Sequence, residues 1–323
     1  MLLPPPSLAT LRLLVPPLGA ARYKGQAGKV AVIGGCAEYT GAPFYAAISA
    51  LKVGADLSHV FCDEQAASPI KSYSPEIIVH GCLSAARRGD ADIRAQADEV
   101  SRWFPSLTAL VVGPGLGRDP TLQAVASLVV ERAVAASLPT VIDADGMKLV
   151  TERPGLVRGG RWVVLTPNRP EFARLLEALG QVESCGGAGV GDGADELRRA
   201  TASLSGPLIV RKGPSDLLSD GVATTACDEA GCPKRSGGQG DVLAGTIATC
   251  LSWARESAAR LEKSPQPHAP PMLAVYTGCL LTRRFSAAAF ARHRRAMTAP
   301  DLVDAIGGVF EEFCPAGGDA GQQ

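Results

Sequence analysis

Short apolar, β-branched runs recur along the chain, each closed by glycine or a polar turn and followed by an Ala/Leu-rich stretch with helical spacing. The runs at 29–33 (KVAVI), 57–62, 76–79, 110–112, 140–142, 162–165 and 208–211 (LIVR) predict strands. The stretches at 42–53, 91–103, 121–136, 170–179 and 194–204 predict helices between them. Such alternation predicts an α/β fold of three layers, a mostly parallel central sheet with helices on both faces. After Arg211 the texture changes. Residues 216–226 (DLLSDGVATTA) predict a hairpin turning at Asp220-Gly221. Three helical segments follow at 242–261, 272–290 and 298–313, with 264–271 (SPQPHAPP) as a loop. The stretch 184–193 is Gly-rich and carries little information, and 316–323 reads as a free tail. No repeat or linker divides the chain, so the expected organisation is an N-terminal segment (1–22), one domain (23–314) and a tail (315–323).

Composition narrows this picture. At 46% hydrophobic and 20% charged over 323 residues the chain is long enough for one large α/β domain. Aromatics are scarce at 5%, so the core must be mostly Ala, Val and Leu, which suits helices packed on parallel strands. The 32 basic and 32 acidic residues cancel, and nothing suggests a nucleic acid or an anionic membrane as partner. No apolar run reaches membrane-spanning length. Nine scattered cysteines without a CxxC pair argue against a zinc site and for reduced thiols in a reducing compartment. A cytoplasmic location is the expectation. A mitochondrial one is the second reading, because residues 1–37 hold no Asp or Glu but carry Arg12, Arg22, Lys24 and Lys29. Pro4, Pro5 and Pro6 argue against a helix at the very start, and 8–15 has room for a short one. The segment is expected to pack on the domain. His59, His80, His268 and His293 show no clustering, which leaves histidine catalysis without support.

In an open α/β sheet ligands bind beyond the carboxyl ends of the strands. Gly34-Gly35, 113–117, 143–146, Asn168 and Lys212-Gly213 all fall there. The strongest local signal is SGGQGDVLAG over 236–245, which opens a long apolar helix. Three glycines in the four residues 237–240 let the backbone turn its amides inward, and with the helix dipole these make an anion site. Asp241 is either an N-cap or a general base beside that anion hole. A cap does not need the glycines, and a plain phosphate cradle does not want a carboxylate, so the combination favours the base.

The other motifs leave alternatives open. GPGLG at 113–117 is not a dinucleotide fingerprint, since Pro114 removes an amide, and reads equally as a tight turn or a close backbone approach to a ligand. TPNRPEFAR at 166–174 opens a helix, where Asn168 and Glu171 are either a capping box or ligand contacts. KGPSD at 212–216 offers Lys212 to a phosphate, or is a plain turn. DADG at 143–146 reads as a turn, with carboxylates that a metal could use.

Taken together these motifs resemble the ATP-dependent NAD(P)H-hydrate dehydratase family of the ribokinase-like superfamily. The resemblance runs from Tyr23 to Phe313 through KGQAG (24–28), GGCAEYTGAP (34–43), VGAD (53–56) and the five motifs above, all in family order. EYTGAP at 38–43 is its most specific element, whereas GGQGD alone indicates only the superfamily. Arg169 and Pro170 fill variable places, and Gln239 stands where bacterial relatives often have serine or alanine. The wording of 34–40 and 57–62 looks eukaryotic, which implies ATP rather than ADP.

The resemblance implies a ribokinase-like fold and repair of the S epimer of hydrated NADH or NADPH, a hydro-lyase reaction that consumes ATP with Mg²⁺. Asp241 would be catalytic, aided by the amides of Gly238 and Gly240. The hydrated cofactor would touch Asp241, Gly115 and the segment Asn168, Arg169, Pro170, Glu171, Phe172, Ala173 and Arg174. ATP would lie along Lys212, Gly213, Pro214, Ser215 and Asp216. It would also meet Gly231, Cys232, Pro233, Lys234, Arg235, Ser236, Gly237, Gly238, Gln239 and Gly240. The family also implies functional partnership with an NAD(P)H-hydrate epimerase, and a homo-oligomer is compatible with it. Two other classes compete: a ribokinase-like kinase of a small hydroxymethyl heterocycle or vitamin precursor, and a non-catalytic nucleotide-binding module.

Overall fold

The computed structural model describes residues 2–19, 22–181, 190–261 and 267–316. The described strands are β1 (Lys29–Ile33), β2 (Leu57–Asp63), β3 (Ile78–Leu83), β4 (Ala109–Val112), β5 (Thr140–Ile142), β6 (Val163–Leu165), β7 (Leu208–Arg211), β8 (Asp216–Ser219) and β9 (Thr224–Cys227). They form one sheet in the order β3-β2-β1-β4-β5-β6-β7-β8-β9. All pairings from β3 through β7 are parallel, and β8 and β9 add an antiparallel hairpin at the end.

Side-chain alternation splits the core into two sheets of contact. Val30, Val32, Val60, Val111, Val141 and Val210 face α2 (Gly41–Val53), α9 (Gln239–Leu261), α10 (Pro270–His293) and α11 (Ala299–Phe313). Ala31, Ile33, Phe61, Leu110, Val112, Ile142 and Ile209 face the opposite layer. That layer is α4 (Asp90–Ser101), α5 (Pro120–Ala135), α6 (Gly146–Glu152), α7 (Arg169–Ala178) and α8 (Val190–Leu204). With both faces covered, the inner strands read as unbroken apolar runs, and each buried Val or Ile contributes about 1.5–3 kcal/mol. The three-layer α/β expectation holds.

Several details differ from the sequence reading. The third strand runs over Ile78–Leu83 rather than 76–79. It is an edge strand with a mixed burial pattern, so its polar His80 and Gly81 hid its extent. Helix α3 (Glu64–Tyr73) was not foreseen: it contains Pro69 and buries only Ala66, Ala67 and Ile70. Helix α6 was not foreseen either, being seven residues long. The histidines are not all apart. His59 and His80 meet across β2 and β3, with Nδ1 and Nε2 3.1 Å apart, beneath Trp103. Burial drives the His59 pKa down to about 4 and lowers that of His80, so both are neutral core groups near pH 7. Neither lines the cavities described below.

The N-terminal segment lies against the body of the fold. Helix α1 (Leu8–Arg12) buries Leu11, Leu14 is fully buried after it, and Arg12 Nε donates to the Phe313 carbonyl at 2.6 Å. Leu3 N–H donates to the Thr224 carbonyl at 2.7 Å, laying the chain along the outer edge of β9. Most of the Gly-rich stretch expected over 184–193 falls outside the described residues, as do 264–266 of the expected loop and the tail beyond Ala316. Among the described residues eight cysteines are free thiols, and no helix is long and apolar enough to cross a membrane.

Candidate active site

The loops that leave β1, β4 and β5 at their carboxyl ends are packed backbone on backbone. A Cβ at Gly34 would stand 2.0 Å from the Pro114 carbonyl oxygen. Gly113 has φ +122°, and a Cβ there would stand 1.9 Å from the Asp143 carbonyl oxygen. No side chain fits either position. The close approach suggested for GPGLG is therefore to neighbouring loops. Gly117 N–H donates to Asp145 Oδ2 at 2.9 Å, which ties this loop to the DADG turn. Gly115 is buried beside Tyr39 and Pro43 and lines neither cavity.

On this floor the ends of β5, β6 and β7 bring charged groups together. Asp143 follows β5, is 2% exposed, and accepts from Lys212 Nζ at 2.7 Å and Thr166 Oγ1 at 2.7 Å through Oδ1. Burial opposes the Lys212 charge, but Asp143, with Glu171 and Asp241 beyond it, holds the ammonium above its usual range. Asp143 Oδ2 lies beside Gly240, where a Cβ would stand 3.5 Å away. Above these groups opens a cavity of about 710 Å³ between the strand ends and the start of α9.

The GGQGD element places Asp241 inside α9. Val242 N–H donates to the Gly238 carbonyl at 3.0 Å, so Gly238 caps the helix, with φ +91°. Asp241 sits in the first turn and is not the cap. The amides at that end have no carbonyl within the helix and face the cavity end. Burial pushes the Asp241 pKa up to about 7, Asp143 adds to this, Lys212 opposes it and Asp145 raises it further. A carboxyl with that proton affinity is suited to taking and returning a proton at neutral pH.

The expected nucleotide residues divide by role. Lys212, Gly213, Pro214, Asp216, Gly231, Cys232, Arg235 and residues 236–240 line the cavity, while Ser215, Pro233 and Lys234 do not. Each oxygen of the Asp216 carboxylate has a partner: Oδ1 accepts from Gly213 N–H at 3.0 Å and Oδ2 from Arg283 Nε at 2.7 Å. Gln239 also turns inward on the loop, donating to the Lys234 carbonyl and Ser236 Oγ at 3.0 Å each.

Arg283, on α10, was missed. Its guanidinium also donates to the carbonyls of Gly213 at 2.8 Å, Pro214 at 2.7 Å and Glu229 at 3.1 Å. It thereby holds both loops that frame the cavity. The signal was legible: a nearly buried arginine in a long apolar helix demands partners, and Cys279, Thr282, Arg283 and Ser286 share one helical face on the cavity wall.

In the segment 168–174 only Asn168, Glu171 and Arg174 reach a cavity. The capping box forms: Asn168 Oδ1 accepts from Glu171 N–H at 3.0 Å, and Glu171 Oε2 accepts from Asn168 N–H at 2.9 Å. Burial raises the Glu171 pKa against the opposing pull of that amide and of Lys212. Phe172 is buried in the core, and Arg169, Pro170 and Ala173 line neither cavity. Capping and cavity lining therefore coexist at Asn168, whose amide nitrogen remains available.

Comparison with known proteins agrees with this arrangement. The NAD(P)H-hydrate dehydratase family model matches residues 30–307. The chain is 45% identical over 312 residues to the ATP-dependent (S)-NAD(P)H-hydrate dehydratase of Vitis vinifera, covering 95% of this chain and 87% of that one. A ribokinase-like superfamily protein from Enterococcus faecalis superposes with a TM-score of 0.72 at 21% identity, covering 96% of each chain. The ADP/ATP-dependent NAD(P)H-hydrate dehydratase of Bacillus subtilis, co-crystallised with ATP/Mg²⁺, superposes with a TM-score of 0.66 at 21% identity, covering 96% of this chain and 98% of that one. The last two show the ribokinase-like fold, and the family match with its close relative shows the lineage within it: this chain belongs to the NAD(P)H-hydrate dehydratase family.

Proposed function

We propose that the chain restores NADH and NADPH from their (S)-hydrates by transferring a phosphoryl group from ATP to the ring hydroxyl and then eliminating phosphate. The observation that carries this reading is Asp241: a carboxyl of neutral proton affinity, set beside the amides of a Gly-rich helix start in a cavity fit for a nucleotide. Asp241 takes the proton of the hydroxyl as its oxygen attacks the γ-phosphorus and ADP departs. The amides of Gly238, Gln239 and Gly240 and the Lys212 ammonium stabilise the charge on the transferring group, each well-aimed donor contributing about 3–4 kcal/mol. The ring nitrogen's lone pair then expels phosphate, and loss of a proton from the adjacent ring carbon restores the double bond. The products are NAD(P)H, ADP and phosphate, with the hydroxyl oxygen leaving in the phosphate.

The residues present suit Mg²⁺. Among the described residues no group of three or more His, Cys, Asp or Glu could hold a metal alone. Magnesium commonly needs only one or two carboxylates when phosphates supply the rest, and Asp143 offers Oδ2 at the cavity floor. When bound with ATP the ion would neutralise phosphate charge.

Incubation with hydrated NADH, Mg²⁺ and either ATP or ADP should restore the absorbance of the dihydronicotinamide, faster with ATP, with one phosphate released per turnover. A stable phosphate ester would instead establish the kinase reading. An epimerase interconverting the R and S hydrates is the expected functional partner, because one cavity geometry accepts one hydroxyl orientation.

Asn168 positions the hydrate so that its hydroxyl, and not water, meets the γ-phosphate. Asn168→Ser keeps a capping oxygen but loses the amide nitrogen. It is expected to raise the KM for the hydrate about tenfold and to release ADP without repair, with the KM for ATP unchanged. If Asn168→Ala weakens both substrates equally while Asn168→Ser behaves as wild type, Asn168 is only a helix cap.

A further inference from the structure

A second cavity of about 460 Å³ adjoins the first, and Ala144 and Glu171 line both. Its wall includes Arg118, which follows the GPGLG loop, Lys148 on α6, and Arg174 on α7. Each carboxylate on the same wall has a partner, and among the described residues only that of Glu152 is a cation in salt-bridge contact. Asp145 accepts from the Gly117 amide, Glu171 from the Asn168 amide, and Glu152 is paired with Lys148. Arg118 and Arg174 are exposed and have no ion-pair partner among the described residues. Two guanidiniums outside any salt bridge among the described residues, Arg174 also within electrostatic reach of Glu171, therefore share a concavity that adjoins the cavity of the reacting carboxyl.

The reaction proposed above requires two nucleotides at once. The first cavity is of the size that holds one drug-sized ligand with some room beyond it. If ATP runs along Lys212, Gly213 and residues 231–240, the dinucleotide can place only its ring at Asp241, and its pyrophosphate and adenosine must leave past Ala144 and Glu171. That path leads into the second cavity. We propose that this cavity holds the pyrophosphate and adenylate half of the hydrated dinucleotide, with Arg118 and Arg174 gripping its phosphates. Guanidinium forks match phosphate oxygens in pairs, which distinguishes them from Lys148 with its neighbouring Glu152. Arg118 belongs to none of the segments the sequence assigned to ligand, and its place one residue after Gly117 gives the glycine loop a second task, to fix where this arginine starts.

The inference rests on the dehydratase reading, and the test separates the two. Hydrated NADH and the hydrate of reduced nicotinamide mononucleotide carry the same ring, but only the first has the adenylate half. For Arg118→Ala and Arg174→Ala the KM for hydrated NADH should rise about tenfold each, and further in the double variant, with kcat retained. The KM for the mononucleotide hydrate and for ATP should stay at the wild-type values, which also shows that the variants fold. An unchanged KM for hydrated NADH in the double variant overturns the placement, as does an equal rise for the mononucleotide hydrate. A rise confined to ATP assigns the arginines to the other nucleotide and overturns it too. If the wild-type enzyme turns over neither hydrate, the dehydratase reading falls and this inference with it.

Discussion

At pH 8, Asp241→Asn is expected to lower kcat by about 10²–10⁴-fold while raising the melting temperature by a few degrees. The two effects have one origin. In the unfolded chain this carboxyl ionises near its ordinary value of 3.8, whereas in the folded protein burial and Asp143 push it to about 7. Between those values the unfolded state releases the proton first, so folding loses stability as pH rises, and the loss is complete above about 7. Below 3.8 both states are protonated and the penalty vanishes. Allowing for its partial exposure, the cost at pH 8 is on the order of 1–3 kcal/mol. Removing the ionisable group relieves it. The gain should therefore shrink at pH 4, and thermal melts at the two pH values check this. In the wild-type enzyme, kcat/KM should fall tenfold per pH unit below about 7. Activity of the variant within tenfold of wild type would remove Asp241 as the base.

Arg283→Ala should lower the melting temperature by roughly 5–10 °C and raise the KM for ATP about tenfold or more. The substitution leaves Asp216 buried without its cation, and losing one partner of a buried ion pair commonly costs about 3–5 kcal/mol. It also releases the carbonyls of Gly213, Pro214 and Glu229, so the two loops that frame the cavity lose their shared anchor. Asp216→Asn in the same chain should recover part of the stability, because no unpaired carboxylate remains, but not the affinity for ATP. Arg283→Lys keeps a charge and loses the fork, and should fall between. Calorimetry and steady-state kinetics measure both, and an unmoved KM for ATP would reduce Arg283 to a purely structural role.

What the sequence disclosed followed the physics of each signal. Strands covered on both faces, such as KVAVI at β1 and LIVR at β7, declare themselves as apolar runs, and the glycines that end them mark the functional edge. Local patterns also exposed Asp241 and the Asn168–Glu171 cap. They were silent on α3, whose Pro69 and polar face imitate a loop, and they set β3 at 76–79 instead of Ile78–Leu83, because an edge strand need not be apolar. They were silent too on partners distant in the chain. Nothing near Asp216 announces that Arg283 will neutralise it, or near Asp143 that Lys212 will, because such pairs exist only once β5, β7 and α10 have been brought together. Asp216 lines the cavity, but its motif did not show that one of its oxygens would receive the Gly213 amide and the other the Arg283 guanidinium.

The chain laid along β9 has a bearing on how the protein survives in a crowded solution. Strand β9 closes the hairpin end of a nine-stranded sheet, and the contact from Leu3 to Thr224 occupies backbone groups that would otherwise be open to another molecule. An uncovered strand edge is a template for intermolecular pairing. The short stretch around Leu2 and Leu3 thus covers part of that edge, held in place by Leu11 and Leu14 in the core and by the bond between His268 Nε2 and the Pro4 carbonyl. Its detachment would leave the catalytic cavity intact and yet give the molecule an adhesive rim.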